Sequence, residues 1–123
     1  MLADVEGRNH EEACGLVAGV NQTSCAVFPV VNVLHSPVRY QMDPEQQLQV
    51  LLKIEDEVWQ LLAIYHSHLG GPQGPSPTDV AEANYPGVIH LIWSRPIGEW
   101  SCRGFLIEGG SVQPVPVSRL ESS

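Results

Sequence analysis

Basic residues are scarce in this chain: 6 Lys and Arg stand against 14 Asp and Glu in 123 residues, a net charge of −8 with His neutral. Six scattered cations form no basic stripe for phosphates, which argues against nucleic acid and anionic membrane surfaces and favours neutral or basic partners. Cysteine is nearly absent too. Cys14, Cys25 and Cys102 make no C-x-x-C pair and leave one odd thiol, the usage of a reducing compartment rather than a secreted scaffold, and they read as core filler. No apolar run approaches the length of a membrane span, and Met1 to Glu12 carries acids where a signal peptide would be apolar. The expectation is a soluble, cytoplasmic protein with no membrane partner. With 43% hydrophobic and 16% charged residues, a chain of this length can bury roughly two-thirds of its surface without disulfide staples. Residues 1–123 read as one domain.

No internal repeat or long linker divides the chain. Residues 1–9 are a possible helix stub, and Cys14 to Gly19 is a short apolar run closed by glycine, a strand. Ser24 to Val33 is rich in β-branched residues, and Asn21-Gln22-Thr23 between the two runs is turn material, which predicts a hairpin with Pro29 on an edge or at a bulge. Asp43-Pro44-Glu45 starts a helix over about 44–57, with Leu48, Leu51 and Leu52 on one face. Trp59 to Tyr65 is a continuous apolar run, the pattern of a central strand buried on both faces. Leu69 to Pro75 is a Gly/Pro loop, Ser76-Pro77-Thr78-Asp79 opens a helix through about Asn84, and Val88–Trp93 and Trp100–Ile107 are strands joined through Arg95-Pro96-Ile97-Gly98. Ser111 to Val117 adds an edge strand, with Pro114 and Pro116 limiting its pairing.

The chemistry concentrates where the buried strand runs out. His66-Ser67-His68 places two imidazoles at i and i+2, on the same face of a strand, where both can reach one metal ion. Asp79, on the first turn of the next helix, is the nearest candidate for a third ligand. Two neutral imidazoles and one carboxylate leave a zinc ion with a net charge of about +1 and an open position for water, whereas structural sites are closed, usually by thiolates. Each part has an ordinary explanation alone: Ser76 and Asp79 are the ends of an S-x-x-D helix cap, and His-x-His at a strand end is commonly a hydrogen-bonded pair. Together, His66-x-His68-x7-Ser76-x2-Asp79 arises by chance in about one in two thousand chains of this composition. The combination therefore outweighs its parts.

This pattern resembles the signature of the JAMM (MPN+) zinc metallopeptidases, a glutamate followed by H-[ST]-H-x7-S-x2-D. Glu12-Ala13-Cys14-Gly15-Leu16-Val17-Ala18-Gly19 is similar to the family's E-x-C-G-L-x-x-G segment, and Tyr40-Gln41-Met42-Asp43-Pro44 to the stretch before its second helix. The likeness covers most of residues 10–94. It implies the MPN fold, an α/β arrangement around a curved mixed sheet flanked by helices. It also implies His66, His68 and Asp79 as ligands of one Zn2+ per chain, Glu12 as general acid and base acting through the water at the metal, and Ser76 as oxyanion stabiliser. Residue reasoning alone leaves Glu11 and Glu12 nearly even, since neighbours project in opposite directions; the family spacing selects Glu12. His10, His35 and His90 have no matching partners and read as surface or core residues, and Ser67 as structural. Leu69 departs from the family, where proline usually follows the second histidine. With Gly70, Gly71 and Gly74, it makes the loop either a mobile wall of the cleft or a plain connection.

The short chain looks like the compact prokaryotic branch. The resemblance implies a peptidase acting after the C-terminal Gly-Gly of a ubiquitin-like or sulfur-carrier protein, with release of cysteine or another adduct. A Gly-Gly tail suits a narrow cleft because its backbone can approach the metal closely. The alternatives are a non-catalytic MPN interaction domain and a zinc peptidase acting on short peptides.

Overall fold

The computed structural model describes residues 1–69, 72–95 and 98–117. Along the chain run α1 (Leu2–Gly7), β1 (Cys14–Val20), β2 (Thr23–Val30), α2 (Pro44–Asp56), β3 (Gln60–His68), α3 (Pro77–Glu82), β4 (Ile89–Ser94), β5 (Ser101–Glu108) and β6 (Ser111–Val115). The strands form one mixed sheet in the order β2-β1-β3-β4-β5-β6, with β3 and β4 parallel and the other neighbours antiparallel. The expected α/β class is present, and β3 lies inside the sheet, buried from Ala63 to His68. Among the described residues, no helix is long and apolar enough to cross a membrane.

Alternation along the strands assigns each face its cover. Val17, Ala63, Tyr65, Leu91 and Trp93 point to one face and pack with Val5, Met1 and Leu2 of the α1 region. Cys14, Leu16 and Ile64 point to the other, under Val50 and Leu51 of α2, and Ile92, Phe105 and Ile107 continue that face under Val80 of α3 and Ala83 just after it. The short helix α1 is tied down by charge as well as packing. Arg8 pairs with Asp4 through two bonds of 2.7 and 2.8 Å and donates to the carbonyls of Cys14 and Val30, both at 2.8 Å. Tyr65 donates its hydroxyl to the same Asp4 (2.7 Å).

The hairpins follow turn chemistry. Asn21 and Gln22 both take positive φ (51° and 66°), and Gly109 and Gly110 do the same between β5 and β6 (56° and 81°), the arrangement of two-residue turns that match strand twist. Pro29 and Pro114 sit on β2 and β6, the two edges, where a missing N–H costs no ladder bond. The side chain of Asp43 caps α2 by accepting from the N–H of Glu45 and Gln46.

Several boundaries differ from expectation. β2 stops at Val30, not Val33, because Val31 donates its N–H to the Gln46 side chain (2.9 Å) and Asn32 bridges Met42, turning the chain off the sheet. β3 starts at Gln60, not Trp59, since Val58 leaves α2 with φ 58°. α3 ends at Glu82, not Asn84: Ala83 is already extended, and Pro86 follows. β4 and β5 each begin one residue late, at Ile89 and Ser101. Cys14 is buried and Cys102 half-buried, but Cys25 is exposed and fills no core, because it lies on the solvated start of an edge strand. The loop readings at Gly70, Gly71, Pro96 and Ile97 lie outside the described residues.

Gly15 is constrained by its neighbour, not by its torsions: a Cβ there would sit on the ring of Tyr65, whose hydroxyl is held by Asp4. Gly15→Ala should lower unfolding free energy by about 1–3 kcal/mol in denaturant titration. In a Tyr65→Leu background the same change should cost much less, because the clash is gone. Equal costs in both backgrounds would rule out this contact as the cause.

Candidate active site

His66 and His68 alternate with Ser67 at the end of β3, so both imidazoles leave the sheet on the face beneath α2 and α3, while Ser67 points the other way. The helix α3 delivers the third group. Asp79 donates its N–H to Ser76 Oγ (3.0 Å) and Ser76 donates its N–H to Asp79 Oδ2 (2.8 Å), a reciprocal capping box that fixes the carboxylate. Its Oδ2 then lies 3.2 Å from His66 Nε2 and 3.1 Å from His68 Nε2, and the two Nε2 atoms are 3.0 Å apart.

This donor set fits a metal ion. Nitrogen and oxygen ligands bound at about 2.0–2.1 Å in a tetrahedron stand about 3.3–3.4 Å from one another, close to the separations found. His68 Nδ1 lies 2.9 Å from the Pro72 carbonyl; donation there leaves the Nε2 lone pair facing the cluster, the outer support common to ligating histidines. Neutral imidazole and ionised carboxylate are also the forms a metal needs. Burial pulls the pKa of His66 down. Burial opposes charge on Asp79, but hydrogen bonds from His66, His68 and the Ser76 N–H outweigh it and hold the carboxyl well below the usual range. Burial acts downward on His68 as well, and its bonds to Asp79 and Pro72 reverse that into a net rise without the metal.

Glu12 is buried, 4% exposed, immediately before β1. Its backbone is held at both ends: the N–H donates to the Ser36 carbonyl (2.8 Å) and the carbonyl accepts from Asn32 Nδ2 (3.0 Å). Ala13 is pinned to β3 by Ser67, whose Oγ accepts the Ala13 N–H (2.8 Å) and whose N–H donates to the Ala13 carbonyl (3.0 Å). Burial pushes the Glu12 carboxyl up to about 7, eased by nearby His68 and reinforced by Asp79. Glu11 turns outward, with Oε1 2.8 Å from His35 Nδ1. Of the two glutamates, Glu12 is the buried one, with His68 and Asp79 near its carboxyl, and Glu11 the one directed to His35.

Sequence reasoning passed over several neighbours. The Tyr40 ring stacks on His66 with centroids 4.5 Å apart. Asn32 is fully buried with four hydrogen bonds, to Glu12, Leu34, Arg39 and Gln41, and so organises the loop that backs the site. His90 is a core residue as expected, but it also lines a cavity that reaches Asp79. Only Tyr40 had a signal, its place in the Tyr40–Pro44 stretch; Asn32 and His90 are marked by packing alone.

Residues 1–103 match the family described as prokaryotic homologs of the JAB domain. The chain belongs to that family. It is 40% identical over 86 residues to a desampylase of Haloferax volcanii, covering 68% of this chain and 62% of that protein. It is 32% identical over 124 residues to a CysO-cysteine peptidase of Mycobacterium tuberculosis, covering 98% of this chain and 85% of that protein. The alignment thus spans about three-fifths of the archaeal relative's length. A solution structure of a Desulfitobacterium hafniense protein superimposes with a TM-score of 0.80 at 31% identity, over 99% of this chain and 89% of that one.

The elevated Glu12 pKa sets the sign of a stability effect. A carboxyl raised from 4.5 to about 7 on folding opposes the folded state once ionised, so the penalty grows as pH rises from about 4.5 and is complete above about 7. With a chelator present, Glu12→Gln should be more stable than the unaltered protein at pH 8 and equal to it at pH 4, by urea unfolding. The same difference at both pH values would show that the Glu12 charge is not the cause.

Proposed function

We propose that this chain is a zinc-dependent peptidase that hydrolyses the amide bond after the C-terminal Gly-Gly of a ubiquitin-like or sulfur-carrier protein, with one zinc held by His66, His68 and Asp79. The reading rests on one observation above others: three ligand atoms within 3.2 Å of each other beside a buried carboxyl. The names of the relatives, a desampylase and a CysO-cysteine peptidase, support the substrate class.

Zinc, when bound, supplies Lewis acidity for the scissile carbonyl and for an attacking water. Glu12 is the general base and acid in this reading. A buried carboxyl beside the cluster can take the water's proton and return it to the departing amine. Within the cap Ser76 Oγ acts as acceptor, and a hydroxyl that accepts there can use its O–H to donate to the oxyanion that forms at the carbonyl. Cys14 lies opposite His66 in the sheet, but burial pushes its thiol up to about 12, which makes it a poor nucleophile. The reaction needs no covalent intermediate.

The deciding experiment incubates the zinc-loaded protein with a sulfur-carrier protein whose Gly-Gly terminus is amide-linked to cysteine. Mass spectrometry should find a carrier ending in Gly-Gly, with turnover abolished by a chelator and restored by zinc. An intact adduct after prolonged incubation would falsify the reading. Glu12→Gln should retain zinc and lose about 10²–10⁴-fold in kcat, whereas Glu11→Gln should change little.

Ser76 carries two separable roles. Ser76→Ala should lose about 1 kcal/mol of stability as a cap and about 2.7–4 kcal/mol of transition-state stabilisation. Ser76→Asp should recover the cap but not the rate, since an ionised carboxylate cannot donate. Melting temperature, zinc content and kcat on both variants check this; recovery of rate with the cap would leave Ser76 a purely structural residue.

A further inference from the structure

A histidine that gives one ring nitrogen to a metal keeps its proton on the other, and that N–H needs an acceptor. His68 has one in the Pro72 carbonyl, 2.9 Å from its Nδ1. His66 has none of this kind: its Nδ1 is buried and makes no hydrogen bond among the described residues.

A second ring nitrogen close by is in the same condition. His90 is buried, 6% exposed, and its Nε2 also has no hydrogen-bond partner among the described residues. Strand register places the two rings side by side. β3 and β4 are parallel neighbours with Ile64 opposite His90 and His66 opposite Ile92, so His66 and His90 are diagonal neighbours on one face of the sheet. That face is the one beneath α2 and α3, since Ile64 and Ile92 pack there while Leu91 and Trp93 belong to the opposite core. With strands about 4.8 Å apart and a rise of about 3.3 Å per residue, the two backbones stand about 8 Å apart on the diagonal, a span that two imidazoles and one water bridge.

The surroundings suit a water. A cavity of about 280 Å³ is lined by His90 and by three residues that flank His66: Ile64, two positions before it, Tyr40, stacked on its ring, and Asp79, 3.2 Å from its Nε2. A space of that size with polar groups on its wall admits water. Burial favours the uncharged form of both rings, and an uncharged imidazole offers one N–H and one lone pair. When Nε2 of His66 faces the metal its proton lies on Nδ1, and a lone pair on His90 Nε2 is its complement.

We propose that His90 is a positioning residue for the metal site: one water accepts from His66 Nδ1 and donates to His90 Nε2, fixing the tautomer and orientation of that ligand. The proposal rests on the reading of His66 as a zinc ligand given above. Each ligating histidine then has an outer acceptor, a loop carbonyl for His68 and a ring on the neighbouring strand, through water, for His66.

Two measurements test this without turnover. Competition with a chromophoric chelator gives the zinc affinity of the unaltered protein, His90→Phe and His90→Gln. Loss of an outer acceptor weakens metal binding by about 10–100-fold, and His90→Phe, which keeps a ring but no acceptor, should show that loss. His90→Gln, whose amide oxygen can accept from the same water, should recover most of it. A packing role predicts the reverse order, because phenylalanine fills an apolar space better than glutamine does; melting temperatures of the metal-free variants record that contribution separately. Zinc affinity unchanged in His90→Phe, or lost equally in both variants, overturns the proposal. Long-range proton–nitrogen correlation spectra of the zinc-loaded, unaltered protein require no variant to fold, and should show His90 protonated on Nδ1 with Nε2 free to accept. A proton on His90 Nε2 overturns the proposal as well. These failures leave the ligand set standing. If the unaltered protein binds no zinc, or His66→Ala binds it as tightly, the ligand reading itself has failed.

Discussion

Ser67 holds Ala13 by both of its backbone polar groups, one through its own N–H and one through its hydroxyl, and the geometry of the site depends on that attachment. The two strands could slide by a residue only by turning every side chain to the opposite face, which would send Glu12 to solvent and Glu11 inward. The hydroxyl makes the register specific, because an unpaired buried N–H at Ala13 would cost about 1–3 kcal/mol. On the outer side of the same strand pair, Arg8 ties the Cys14 and Val30 carbonyls to α1 through Asp4. The residue before β1 is therefore held from the sheet and from the helix beneath it.

The remaining parts of the site are delivered by segments outside regular strands, and each is held by saturated hydrogen bonding rather than by bulk packing. Asn32 satisfies its donors and acceptors on four residues of the surrounding loop, which brings Tyr40 onto the His66 ring. The short helix α3 is stabilised at its start by the same carboxylate that faces the histidines. Asp79 thereby couples helix formation to the assembly of the donor set: without the cap the carboxylate is not aimed, and without the carboxylate the cap is incomplete.

Two carboxyls in one small volume are driven in opposite directions. Asp79, surrounded by donors, stays ionised, whereas Glu12, stripped of water by burial, rises to about 7. Such divergence suits the proposed roles, in which one acid holds the metal and the other exchanges a proton. The excess of acids over the whole chain has little part in this. Local hydrogen bonding and desolvation set both values.

The motif was legible in the sequence because its geometry is local. Alternation on a strand puts His66 and His68 on one face, and the S-x-x-D cap orients Asp79 within a single turn, so side-chain direction follows from spacing. Turns and helix starts were legible for the same reason, as at Asn21-Gln22 and Asp43-Pro44. What failed depended on distant partners: β2 ends where Gln46 takes the Val31 N–H, and Cys25 is exposed because its strand is an edge. Glu12 could be separated from Glu11 only by resemblance, since the two differ in which side of the chain they face and the sheet decides that. Asn32 and His90 had no pattern to betray them. Their roles arise from contacts between residues far apart in the chain, and no local periodicity encodes such contacts.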